Sequence, residues 1–255
     1  MPHVVHDGIR VHYEVEGAGP PLVLQHWSLA TLDDWVECGF VDALRSDHRV
    51  ILVDARGHGG SDRPHDVEAY ALARRVGDLV AVLDDLGVDR AHYFGYSMGG
   101  WIGFGILKHA PERFRSLVIG GQHPFEQSMA PLREFIRIGI DRGVDAFIAA
   151  WENGFGPLPE AKKARLRRAD LEALHAVAHD RESLEEAAST ATIPSLVIVG
   201  EVDTVFARAK AGAALMRNAE FVALPGLDHG GCLDRADLVV PHVRRFVKSV
   251  EEERA

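Results

Sequence analysis

Between an apolar run that reads as a strand, AHYFGY (91–96), and one that reads as a helix, WIGFGIL (101–107), lies Gly95-Tyr96-Ser97-Met98-Gly99. A serine framed by glycines at such a junction implies a sharp strand-to-helix turn. The glycines remove side chains that would clash, and the hydroxyl projects above the sheet edge. The helix start adds unpaired N–H groups and the positive end of a dipole, both suited to a developing oxyanion. A turn of this kind needs a strand whose carboxyl end feeds a helix, which points to folds that alternate the two.

The rest of the chain keeps that alternation. HVVHDGIRVHYEVEG (3–17) reads as a β-hairpin turning at Asp7-Gly8. LVLQ (22–25), RVILVD (49–54), SLVIGG (116–121), SLVIVG (195–200) and AEFVALPG (219–226) read as further strands. In 68–86 the apolar residues Val76, Leu79, Val80, Leu83 and Leu86 recur at helical spacing, and 98–109, 205–216 and 236–250 are also expected to be helices. The expectation is an α/β fold: a mainly parallel sheet opened by an antiparallel hairpin, with helices on both faces. Residues 124–190 break the rhythm, with helical patterns such as PLREFIRIGI and KKARLRRADLEALHAVAHD and no convincing strand. They are expected to form a helical cap inserted after the sixth strand, on a core domain made of 1–123 and 191–255.

Composition narrows the function classes. A chain of 255 residues with 47% hydrophobic and 26% charged residues can bury a substantial core. With 28 basic against 38 acidic residues the net charge is −10, which argues against nucleic acid or an anionic membrane surface as partner. Two cysteines, Cys38 and Cys232, are too few for a disulfide framework and fit a reducing compartment. The first residues show neither a basic segment nor an apolar one, and no run approaches 18 apolar residues, so a cytoplasmic protein is expected. No phosphate-loop or dinucleotide fingerprint opens a helix, so no nucleotide cofactor is indicated. His175 and His179 have i, i+4 spacing but lack the glutamate and third ligand of a zinc helix, so no metal is expected.

A serine hydroxyl is a weak nucleophile unless a neighbour takes its proton and an acid orients that neighbour. Fourteen histidines compete for the role. His229 stands out because it follows the last strand in a loop of small residues, and loops beyond parallel strand ends converge on one crevice. Asp203, just past the strand SLVIVG, gives the order Ser…Asp…His, with Glu201 as the alternative acid. Asp228 is read as shaping the histidine loop. His123, at another strand end, is placed at the pocket rim as a substrate-binding candidate.

Several motifs together resemble the α/β-hydrolase family across nearly the whole chain. Asp54-Ala55-Arg56-Gly57-His58-Gly59-Gly60-Ser61-Asp62 is similar to its D-x-R-G-x-G-x-S-D loop, IPSLVIVGEVD to its seventh strand with the acidic turn, and LPGLDHGGCLDRAD to its histidine loop. The resemblance implies catalytic Ser97, Asp203 and His229, acyl transfer, and a small-molecule substrate, with a small to medium ester or lactone favoured. It also implies that an amide following a His-Gly pair completes the oxyanion hole with Met98. Here the pair is His26-Trp27, which puts Trp27 on the glycine and Ser28 on the donor. Trp27 then either packs under the cap or against the neighbouring strand, or walls the substrate pocket. Ser97 speaks against relatives with an aspartate nucleophile. Carbon–carbon bond hydrolases and cofactor-independent oxygenases share the framework, and a hormone-receptor-like binding protein is the rival of another class.

Overall fold

A strand that is apolar on both faces must be covered on both, and most of the sheet is built from such strands. The computed structural model describes residues 2–253. Its eight-stranded sheet runs β1 (His3–His6), β2 (Ile9–Glu16), β4 (Arg49–Val53), β3 (Pro21–Gln25), β5 (Ala91–Tyr96), β6 (Phe114–Gly120), β7 (Ser195–Gly200), β8 (Ala219–Leu224). β1 and β2 pair antiparallel with each other, as do β2 and β4, and the remaining pairs are parallel. The α/β fold read from the sequence is therefore present, hairpin included.

Strand residues alternate between two cores, as a period of two requires. Val23, Ile51, Val53, Tyr93, Ile119 and Val197 face a layer formed by α3 (Leu72–Asp85), α4 (Met98–His109) and α10 (Phe206–Leu215). Leu22, Leu24, Leu52, Phe94, Val118 and Ile198 face α1 (Leu32–Glu37), α2 (Phe40–Leu44) and α11 (Ala236–Glu252). The helix expected over 68–86 is split. Asp66 caps a 3-10 turn over Val67–Tyr70, and Ala71 is extended (φ −49°, ψ 139°) before α3 begins.

Between β6 and β7 run α5 (Ala130–Arg142), α6 (Val144–Phe155), α7 (Glu160–Arg168), α8 (Leu171–Val177) and α9 (Glu185–Thr190). Ile136, Phe147, Ile148, Leu166 and Leu174 form a separate apolar cluster among these helices, and Leu29 of the β3–α1 loop joins it. His175 sits in the last turn of α8 while His179 lies beyond its end, so the two do not share a helix.

Two buried histidines make the fold sensitive to acid. His92 on β5 bridges Ser116 Oγ (2.7 Å) and Glu251 (2.9 Å), an arrangement a neutral ring satisfies by donating from Nε2 to the carboxylate and accepting at Nδ1. Burial pushes both His92 and His123 down to about 4 from the ordinary 6.5. Between those pH values the unfolded chain binds protons that the folded chain does not, so unfolding takes up protons and stability falls with pH. Stability should be full above pH 6.5 and drop through the window below it, by up to about 1.4 kcal/mol per pH unit for each ring. Urea denaturation at pH 7.5, 6 and 5 reads this directly; a flat profile would contradict it.

Candidate active site

Ser97 lies between β5 and α4 with φ 52° and ψ −106°, a strained backbone for a residue with a side chain. Its amide donates to the Gly120 carbonyl of β6 (2.8 Å) and its carbonyl accepts from Trp101 (2.9 Å). A methyl on Gly95 would collide with the Gly99 carbonyl, and one on Gly99 with the Gln25 carbonyl at the end of β3. The turn therefore closes only because both positions lack a side chain.

His229 follows β8. Its Nδ1 is 2.7 Å from Asp203 Oδ2, and the carboxylate's other oxygen accepts from the Val205 amide at 3.0 Å. The Asp203 side chain is fully buried, whereas the imidazole is 42% exposed. Glu201, the alternative acid, is exposed and lacks this pairing. Tyr96 donates its hydroxyl to the His229 carbonyl (2.7 Å), and the two rings lie 5.2 Å apart. A methyl on Gly121 (φ 55°) would come within 3.0 Å of His229 Cε1. The imidazole is thus seated over Tyr96, the residue before the serine, and over Gly121. With the carboxylate on Nδ1, that nitrogen carries the hydrogen and Nε2 is left as the proton acceptor. Asp228 accepts from the Gly231 amide (2.7 Å) and so shapes the histidine loop.

The β3–α1 loop fixes a further donor. The Ala55 amide donates to His26 Nε2 (3.1 Å), which leaves Nδ1 to donate to the Trp27 carbonyl at 2.8 Å. Burial lowers the pKa of His26, in keeping with this neutral form. Because a trans peptide points its C=O and N–H in opposite directions, the Ser28 amide is turned away from His26. Among the described residues neither the Ser28 amide nor that of Met98, at the start of α4, has an acceptor. Trp27 keeps a negative φ, and the left-handed residue of this loop is Leu29 at φ 63°. The Trp27 ring, half-buried, packs edge-on against Trp35 (5.4 Å) and Tyr96 (6.4 Å).

His123, past the end of β6, is 2% exposed and lies 5.8 Å from the Phe125 ring. Its Nδ1 is buried without a hydrogen-bond partner, and it has no hydrogen bond to Ser97 or His229. Burial, with help from Arg208 and Arg181, keeps it neutral. A cleft of about 230 Å³ is lined by His12, Leu29, Thr31, His58, Arg165 and Arg168, and Ser97, Asp203 and His229 are not among its lining residues. Among the described residues no group of three or more His, Cys, Asp or Glu side chains is placed to hold a metal ion, and no helix is long and apolar enough to cross a membrane.

Sequence reasoning missed Asp34, Lys162 and Arg165, which tie α1 to α7. The Thr31-x-x-Asp34 spacing is a readable capping signal, but its cationic partners lie 128 and 131 residues away.

The family model described as alpha/beta hydrolase fold matches residues 20–169. A Bacillus subtilis (strain 168) protein named 2-succinyl-6-hydroxy-2,4-cyclohexadiene-1-carboxylate synthase is 33% identical over 160 residues, covering 58% of this chain and 57% of that one. The chain thus spans a little over half the length of that relative. The solved enol-lactonase of Burkholderia xenovorans LB400 superposes with a TM-score of 0.84 at 24% identity, covering 97% of this chain and all of that one. An esterase of Rhodococcus sp. ECU1013 superposes at 0.82 with 26% identity over 97% and 98% of the two chains. With its family model matched over more than half its length, the chain belongs to the alpha/beta hydrolase fold family.

Proposed function

We propose that the protein is a serine hydrolase of small to medium carboxylic esters or lactones, acting through an acyl-enzyme on Ser97. The observation that carries this reading is the 2.7 Å pairing of buried Asp203 with a part-exposed His229, on strand ends at the same edge of the sheet as the one that holds Ser97 at φ 52°. His229 Nε2 takes the hydroxyl proton as Oγ attacks the carbonyl carbon. The carbonyl π electrons move to oxygen, and the amides of Ser28 and Met98 hold that oxyanion. Its collapse expels the alcohol, which takes the proton from the imidazolium. In a lactone that alcohol stays attached to the acyl chain. Water then repeats the sequence and frees the acid. Asp203 keeps its charge and stabilises the imidazolium. An esterase and a lactonase among the structural neighbours support this substrate class.

Residues 124–190 serve as a cap over a core of 1–123 and 191–255, which their separate apolar cluster supports. His123, kept neutral by burial past the end of β6, is the candidate to meet a polar group of the substrate if the cap shifts to expose its ring. Trp27 both fills space over Trp35 and edges the acyl site. The two free cysteines fit action in a reducing compartment such as the cytoplasm.

A fluorophosphonate should label wild-type protein at Ser97, and a screen of activated esters and lactones of graded acyl length should show turnover. Ser97→Ala should abolish labelling and lower kcat by roughly 10⁴-fold or more, and Asp203→Asn by a comparable factor with the protein still folded. No labelling together with no turnover of any acyl ester would sink the hydrolase reading. Cleavage of a vinylogous diketone alone would favour carbon–carbon bond hydrolysis.

Trp27→Gly should broaden the acyl-length preference measured in the same screen. An unchanged profile at unchanged stability would leave the ring as packing only.

A further inference from the structure

The loop that carries the Ser28 amide is held from the helices of 124–190 at two points. The first is apolar. Leu29, directly after Ser28, is 7% exposed and buried in the cluster of Ile136, Phe147, Ile148, Leu166 and Leu174. It sits there at φ 63°, a conformation that an L-residue leaves unless its surroundings over-determine it.

The second point is ionic. Asp34 Oδ2 accepts from the Thr31 amide (2.8 Å) and so starts α1. Its other oxygen accepts from Lys162 Nζ (2.5 Å) and Arg165 Nη2 (3.2 Å), both on α7. Glu37 takes the same guanidinium through both its oxygens, at 2.5 and 2.7 Å. The Asp34 side chain is 8% exposed, and those of Lys162 and Arg165 are 12% exposed, so this cluster is little screened by solvent. One carboxylate therefore fixes the start of α1 with one oxygen and α7 with the other.

A cleft of about 230 Å³, lined in part by Leu29, Thr31 and Arg165, borders this loop, so the loop has room to relax once its ties are cut. From the sheet side, His26 Nδ1 holds the Trp27 carbonyl (2.8 Å) and Asp54 Oδ1 holds Leu32 N (2.9 Å), so the stretch from Ser28 to Thr31 between these two anchors is the part whose course the helices of 124–190 can set.

We propose that Leu29, Asp34, Lys162 and Arg165 are positioning residues of the oxyanion hole. Together with the bond from His26 to the Trp27 carbonyl, seating of α7 and of the apolar cluster on this loop sets the direction of the Ser28 N–H. The helices of 124–190 then complete the catalytic geometry as well as roofing the site. This rests on the serine hydrolase reading, and it differs from a purely stabilising role in what it does to turnover.

The test compares wild type, Lys162→Met/Arg165→Met and Arg165→Lys on one activated aryl ester, with the folded state of each checked by circular dichroism. The double variant should lose at least about tenfold in kcat with KM changed less than about threefold, and bind a boronic acid that forms a tetrahedral adduct weaker by the same factor as kcat. Arg165→Lys, which keeps a cation beside Asp34, should recover most of both. A kcat within about twofold of wild type, or a rise in KM alone, would overturn the proposal. If the double variant does not fold, Leu29→Gly decides. It accepts φ 63° freely but loses the apolar anchor, so it should show the same kcat loss, and wild-type turnover by it would overturn the idea. Wild type that neither labels at Ser97 nor turns over esters would instead bring down the hydrolase reading, and this one with it.

Discussion

Five strand ends come together around Ser97 and His229 with backbone against backbone, and the candidate site depends on that close approach. Gly99 presses on the Gln25 carbonyl at the end of β3, Gly95 on the Gly99 carbonyl, and Gly100 on the Gly120 carbonyl of β6. Gly200, ending β7, does the same against the Leu227 carbonyl of the histidine loop. None of these positions has room for even a methyl group. The candidate functional groups are carried by the same ends: Ser28 from β3, Ser97 and Met98 from β5, His123 from β6, Asp203 from β7 and His229 from β8. Parallel strands bring their carboxyl ends to one edge, and the glycines bring them within reach of one another.

A second tier of buried polar groups holds the loops above that edge. Asp54 accepts from the Leu32 amide (2.9 Å), the Gly60 amide (2.8 Å) and His12 Nδ1 (2.7 Å). Burial alone would raise its pKa, but these bonds, His12 foremost, hold it below the ordinary range. The carboxylate thereby links β2, the 54–62 loop and α1, and leaving one of its donors unpaired in that setting would cost about 1–3 kcal/mol. Nearby, Arg56 forks onto Asp78 at 2.6 and 2.7 Å, pinning the same loop to α3. The acid and the arginine of the D-x-R-G stretch are therefore structural, and their place in the sequence motif reflects loop geometry.

What the sequence made legible was local or periodic. Apolar runs of four to eight residues marked the strands because both faces of the sheet are covered, and the serine turn announced itself because its whole requirement lies within five residues. The pairing of His229 with Asp203 was readable because strand ends converge. The misreadings come from backbone detail and from distance. The break at Ala71 depends on one extended residue, and α8 ends before His179 because Ala178 leaves helical geometry (φ −81°, ψ 38°). The ties from Asp34 to Lys162 and Arg165 span about half the chain and leave no trace in spacing or composition.

Trp27 is best understood from where the loop's strain resides. A glycine at that position would supply an unusual φ, but the chain takes its left-handed turn at Leu29, two residues later. Trp27 is thereby free to keep ordinary dihedrals, present its carbonyl to His26 and lay its indole on Trp35 and Tyr96. The cost moves to a leucine, which tolerates φ 63° only because apolar helices enclose it. A loop that elsewhere relies on glycine freedom relies here on side-chain contacts from outside the sheet. Its shape is consequently tied to the packing of residues 124–190, to a degree that a glycine loop would not be.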